Sequence, residues 1–198
     1  GGKLVTVPYH EAYKAELVRS RTVSTVVLAG ALAQLDRRPA VLVSGSAVGY
    51  YGDAGAGTVD ESHPSGSGFL AELTRDWEAA TQRARDGGVR VVNLRTGLVL
   101  SPSGGLLGPL KLVFRFALGG RIGPGTQYMP WISLDDEIGA IGFLVENGSV
   151  DGPVNLAAPT PVTNAEFTAA LATALHRPAP FAVPAAVIRT LAGSMGEE

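Results

Sequence analysis

The residues best placed to do chemistry are Ser44, Ser46, Tyr50 and Tyr51, hydroxyl groups crowded into the segment VLVSGSAVGYYG at positions 41–52. A serine hydroxyl can hold and polarise an oxygen, and a phenol can deliver a proton when its phenolate is stabilised by a nearby positive charge. Each has a structural alternative: a serine that satisfies turn backbone groups, or a tyrosine that packs as an amphipathic lid. Their position argues for a site. They follow Val41-Leu42-Val43, an apolar, β-branched run that fits the buried strand of a parallel sheet. Ligands of open α/β sheets sit just outside the carboxyl ends of the strands.

Other candidate constellations are weaker. His10, His63 and His176 are scattered. Ser46 with His63 and Asp60 or Asp53 could imply a hydrolase, but Gly45-Ser46-Ala47 lacks the glycine-x-serine-x-glycine elbow that exposes such a nucleophile. Asp135 and Asp136 have no third metal-binding group beside them and read better as the acidic start of a helix, so no metal site is expected. The loop from Gly123 to Trp131 offers Gln127, Tyr128, Met129 and Trp131, an amide among apolar and aromatic surfaces, as a pocket wall; core packing of Trp131 is the alternative.

The pattern along the chain predicts the elements that position these groups. Recurring three- and four-residue apolar steps give a helix over 11–35, and the strand at 41–44 follows. After a Gly/Asp/Ser-rich loop (52–68), an amphipathic helix is expected over 69–87 and a strand over 89–101. A basic-apolar helix (107–118), a turn-rich loop (119–131), a helix behind Asp135-Asp136 and a short strand (153–159) come next. Thr163 and Glu166 are spaced as a capping box for a helix reaching about Leu175. Strand alternating with helix in this way is the sequence form of a parallel α/β sheet.

Composition narrows the function. The 198 residues are 45% hydrophobic and 17% charged, as in a globular domain with a substantial core. A net charge of -2 with no Lys/Arg stripe gives no footprint for nucleic acid. Without cysteine there is no disulfide framework or thiolate metal site, and no apolar run reaches membrane-spanning length. A cytoplasmic enzyme or binding protein is expected.

Six ordered blocks sharpen this: SGSAVGYYG, the acidic turn VDE, FLAELTRDWEAA, LRTGLVLSPSGG, GGRIGPGTQYMPWISLDDEIGAI and NLAAPTPVTNAEF. Together they resemble the atypical, epimerase-like branch of the extended short-chain dehydrogenase/reductases, over essentially the whole chain. The resemblance implies an α/β fold, a partial Rossmann-type parallel sheet binding NADP or NAD with a smaller carboxy-terminal substrate region: residues 1–104 are the remaining part of the Rossmann-type domain, and 105–198 a mixed region with substrate-pocket loops, the last Rossmann elements and the start of the carboxy-terminal helical segment. It also implies a small polar or sugar-nucleotide-like substrate, and the assembly expected is a homodimer. The family's glycine-rich pyrophosphate turn is expected upstream of Gly1, because Gly45, Gly49 and Gly52 have the wrong spacing and lead into DAGAG rather than a helix. Met195-Gly196-Glu197-Glu198 falls inside what resembles the family's carboxy-terminal helical segment.

By the same resemblance Ser46 takes the position of the hydroxyl that bonds the substrate oxygen, and Ser44 is structural or faces the cofactor. Glu16 and Arg21 match a pair placed near the cofactor, although as solvated helix charges they would be unremarkable. The strand tip at Gly97, Leu98 and Val99 runs along the nicotinamide. The family's Tyr-x-x-x-Lys dyad is missing, since Phe69-Leu70-Ala71-Glu72-Leu73-Thr74 stands in its place. Tyr50 and Tyr51 are the natural substitutes. Two readings follow: an NAD(P)-dependent oxidoreductase or epimerase, with Ser46, Tyr50 and Tyr51 catalytic and Gln127, Met129 and Trp131 lining the substrate, or a catalytically degenerate NAD(P)-binding sensor.

Overall fold

Val41-Leu42-Val43 does enter a strand, and that strand continues through both serines: β1 spans Val41–Ala47. The structure is a computed structural model that describes residues 11–184. Gly1-Gly2-Lys3, His10 and Met195–Glu198, which carried part of the expectations above, lie outside the described residues. A long helix, α1 (Glu11–Ala33), precedes β1, and a single 3-10 turn (Val48–Tyr51) follows it.

The helix expected over 69–87 divides into α2 (Phe69–Ala79) and α3 (Gln82–Asp86). At the break, buried Thr81 donates its hydroxyl to the Glu78 carbonyl, a local bond that competes with the helical ladder. The strand expected over 89–101 also divides, at Gly97. β2 (Arg90–Thr96) pairs with β1, whereas β3 (Leu98–Ser101) pairs with other strands. Next come β4 (Gly104–Gly105), α4 (Leu107–Arg115), β5 (Gly120–Ile122), β6 (Tyr128–Met129) and β7 (Trp131–Ser133). The chain continues through α5 (Leu134–Glu146), β8 (Gly152–Leu156), β9 (Val162–Thr163), α6 (Asn164–Leu175) and β10 (Phe181–Val183). The loop expected over 119–131 therefore holds two short strands, too short for an alternating pattern to announce them.

The elements form two compact units. The sheet unit joins residues 11–96 to 135–156, and the loop unit joins 97–134 to 157–184. This interleaving brings segments from both sides of residue 104 into one unit. Its cause is strand pairing: β8 lies parallel to β2, which draws the segment after α5 back into the first unit.

In the sheet unit three strands run parallel in the order β1-β2-β8. Leu42 and Val91 are in register on one face and pack with Ala29 of α1, Ala84 of α3 and Val89, with Leu32 against the cluster. Arg90 closes the bottom of the sheet, donating to the carbonyls of Leu144 and Val145 at the end of α5 and to that of Val150. A cation there compensates carbonyls that a helix end leaves unpaired.

In the loop unit β3 lies between β4 and β7, β5 pairs with β10, and β6 with β9. The capping box forms as the spacing predicts: Thr163 Oγ1 accepts from the Glu166 amide while the Glu166 carboxylate accepts from the Thr163 amide. No described helix is long and apolar enough to cross a membrane.

Candidate functional site

At the carboxyl end of the parallel sheet, Ser46, Arg95 and Asn155 stand in register across β1, β2 and β8. Strand residues two apart share a face, so these continue the face begun by Leu42 and Val91 and then Ser44 and Asn93. Apolar packing gives way to polar groups as the strands reach their tips. Arg95 is only 2% exposed, and a buried guanidinium must be paired and hydrogen-bonded.

Its partner is Glu78 on α2. Arg95 Nε donates to Glu78 Oε1 at 2.8 Å, and Arg95 Nη2 to Glu78 Oε2 at 2.9 Å, a bidentate fork. Ser46 Oγ donates to the same Oε1 at 2.6 Å. Burial alone pushes the Arg95 pKa down, but the bonds to Glu78 and Tyr51 outweigh it and the guanidinium titrates above its ordinary value. The charge on this arginine is therefore fixed.

The two tyrosines divide around Arg95. Tyr51 is buried; its hydroxyl accepts from Arg95 Nη1 at 2.9 Å and donates to Asn155 Oδ1 at 2.7 Å. Tyr50 is half-buried, with Arg95 3.5 Å from its ring centroid and the Tyr51 ring edge-on at 5.4 Å between centroids. No described residue hydrogen-bonds the Tyr50 hydroxyl. The loop from 52 to 68 is tied to the same cluster. The Glu61 carboxylate accepts from the Asn155 amide at 2.7 Å, and the Gly66 amide donates to the Tyr50 carbonyl at 2.9 Å.

The remaining expected site residues fall as follows. Ser44 is buried and, among the described residues, donates only to the neighbouring Gly45 carbonyl at 3.3 Å. Glu16 and Arg21 do not pair: Glu16 binds Arg19 on the exposed face of α1, while Arg21 reaches the Leu17 carbonyl and the Trp77 ring. Gly97, Leu98, Val99, Gln127, Met129 and Trp131 belong to the loop unit. There the Leu98 amide donates to the Pro130 carbonyl, and Leu98 and Val99 pair with Trp131 and Ile132. Gln127 Nε2 donates to the Ile122 carbonyl, and Met129 Sδ accepts from Asn164 Nδ2. Asp135 and Asp136 occupy the first turn of α5, where the helix dipole favours acids. Sequence reasoning did not find Glu78, Asn155 or Glu61. The available signal was Arg95 itself, one of two charges, with Arg90 at the start, in an otherwise uncharged strand.

Comparison with known proteins places this geometry. No family model matches the chain. The Epimerase family protein Mb2239 of Mycobacterium bovis is 48% identical over 187 residues, covering 94% of this chain and 62% of its own length. The human Epimerase family protein SDR39U1 is 37% identical over 186 residues, 93% of this chain and 63% of that protein. The chain belongs to this epimerase family. A crystal structure of human SDR39U1 (isoform 2) with NADPH superposes with a TM-score of 0.91 at 35% identity, over 98% of this chain and 66% of that one. A nucleoside-diphosphate sugar epimerase from Corynebacterium glutamicum gives 0.78 at 35% identity, over 98% of this chain and 43% of the other. The family is the atypical extended branch of the short-chain dehydrogenase/reductases, with a Rossmann-type α/β fold. The chain spans about 62% of the length of its mycobacterial relatives.

Proposed function

We propose that the chain forms part of an NAD(P)-dependent oxidoreductase or epimerase acting on a small polar or sugar-nucleotide-like substrate. The observation that carries this reading is the Tyr50 phenol, which stands at the carboxyl end of a parallel sheet beside a fixed cation, with no described residue bonded to its hydroxyl. Tyr50 is the proton-transferring group in this reading and Ser46 the group that orients the reacting oxygen. Tyr51, bonded on both sides, holds Arg95 and Asn155 in place.

When bound, NAD(P) supplies a hydride donor or acceptor at its nicotinamide. A buried acceptor without a partner suits its nicotinamide end. Among the described residues Glu137 Oε2 is such an atom, on a side chain whose Oε1 accepts from Thr96 at 2.9 Å at the end of β2. A carboxamide or ribose hydroxyl has the proton this oxygen lacks. Glu16, Arg21, Ser44, Gly97, Leu98 and Val99 remain the family-derived choices for the rest of the cofactor. Gly45, Gly49 and Gly52 lead through a 3-10 turn into a loop, so they do not make a pyrophosphate cradle at a helix start.

One observation favours a sensor instead. Ser46, Glu78, Arg95, Tyr51 and Asn155 satisfy one another, and no lysine lies beside the tyrosines in sequence. A screen of carbonyl reduction and alcohol oxidation, followed at the nicotinamide absorbance, separates the readings. In an enzyme, Ser46→Ala and Tyr50→Phe each cut turnover by about ten- to a thousandfold and leave NAD(P) affinity near wild type by calorimetry. A sensor turns over no compound, and its cofactor affinity is unchanged by either substitution.

A further inference from the structure

Ser46 has one proton and two lone pairs, and the structure shows where the proton goes. Glu78 receives Arg95 on both oxygens, through Nε at 2.8 Å and Nη2 at 2.9 Å. An ionised carboxylate only accepts hydrogen bonds, and an arginine never gives up its charge in a protein. The 2.6 Å contact between Ser46 Oγ and Glu78 Oε1 therefore consumes the serine proton. What Ser46 retains for a ligand is lone-pair density.

We infer that Glu78, clamped by Arg95, is a positioning residue that sets the polarity of Ser46, so that the site selects a ligand presenting a hydroxyl over the matching carbonyl compound. This rests on the proposed function, in which Ser46 and Tyr50 meet the ligand. A hydroxyl donates to Ser46 and accepts from the Tyr50 phenol, whereas a carbonyl oxygen accepts from Tyr50 but turns lone pairs toward lone pairs at Ser46, so that contact is not made. A buried polar group left unpaired disfavours the complex by more than a good bond favours it.

The first test needs no ligand. In a joint X-ray and neutron structure of deuterium-exchanged crystals of the chain, the Ser46 deuteron is expected on the line to Glu78 Oε1. A deuteron turned away from Glu78 overturns the inference and leaves the oxidoreductase reading standing. The second test uses cyclohexanol and cyclohexanone as matched probes, with binding read from backbone amide shifts at Ser46 and Tyr50. The alcohol is expected to bind about fivefold or more tightly, the effect of one net hydrogen bond, and Ser46→Ala brings the ratio close to one. Equal or tighter binding of the ketone to the unaltered chain overturns the inference, as does a preference that survives Ser46→Ala. If neither probe moves either amide, the ligand site of the proposed function fails and the inference falls with it.

Discussion

Arg95 lies 3.5 Å from the centroid of the Tyr50 ring, yet of the two phenol oxygens its Nη1 donates to that of the next residue, Tyr51, at 2.9 Å. One guanidinium thus meets Tyr50 through its ring alone, and Tyr51 through its oxygen as well as, at 5.1 Å, its ring. A cation over an aromatic face restrains the ring without consuming its hydroxyl. The bond to Tyr51 engages the oxygen itself, and Asn155 Oδ1 takes the proton at 2.7 Å.

The two phenol-to-phenyl substitutions should therefore separate. Tyr50→Phe is expected to stay within about 0.5 kcal/mol of the unaltered stability, as a change that breaks no hydrogen bond to a described residue, while lowering turnover. Tyr51→Phe strands a buried Arg95 donor and the Asn155 oxygen, and is expected to cost about 1–3 kcal/mol. Urea denaturation of both variants, beside their rates on any screened substrate, checks the division. Equal stability losses would place Tyr50 in the same structural network as Tyr51.

The Glu78–Arg95 pair should be the most damaging point in the cluster to break. Its side chains are 12% and 3% exposed, so removing one leaves an uncompensated buried charge. Glu78→Ala is expected to lower stability by about 3–5 kcal/mol in urea denaturation. Arg95→Lys should recover only part of a comparable loss, because an ammonium cannot form the two-pronged contact with the carboxylate. A near-neutral Arg95→Lys would show that charge alone, rather than the fork, holds α2 to the sheet.

The strand at 41–43, the hydroxyls at its tip, the parallel α/β pattern and the capping box were legible because each is a local property of neighbouring residue types. The network was not. Glu78 reads as one of several acids on an amphipathic helix, and Asn155 as a polar residue in a short strand. Both become site residues only when the β1-β2-β8 register sets Ser46, Arg95 and Asn155 abreast and α2 delivers a carboxylate to them. The break at Gly97 was hidden for a related reason. The run 89–101 reads as one strand, and the change of partner after Thr96 depends on where β7 and β8 lie.

Acid should loosen the turn at 60–63 in a defined window. Asp60 Oδ1 accepts from the Ser62 hydroxyl and amide and contacts His63 Nδ1 at 3.1 Å. The Ser62 side-chain bond first, then the bond to His63, lower the Asp60 pKa to about 2 from 3.8. A carboxylate whose folded pKa is depressed contributes stability that is fully present above the unfolded value and is lost as pH falls through the folded one. Protection of the Ser62 amide, measured as its exchange rate relative to the intrinsic rate at each pH, should therefore hold above about pH 4 and fall toward pH 2. Asp60→Asn should abolish that pH dependence. An unchanged acid profile in the variant would assign the loosening to another group.

Gly45, between the two serines, lies against Trp77. A Cβ placed on it would come within 2.9 Å of the indole ring, so only glycine allows α2 to approach β1 so closely here. The indole cannot simply turn aside, because its Nε1 donates to Thr25 on α1 at 3.1 Å. Gly45→Ala must therefore displace α2, and Glu78 is the next residue along that helix. We expect a loss of about 1–3 kcal/mol, the usual cost of overpacking, together with a lengthened Ser46–Glu78 contact. Trp77→Phe, which trims the ring, should restore part of the loss in the double variant while being destabilising on its own. A double-mutant cycle in urea measures this coupling, and additive effects would mean that the contact at Gly45 does not set the distance between helix and strand.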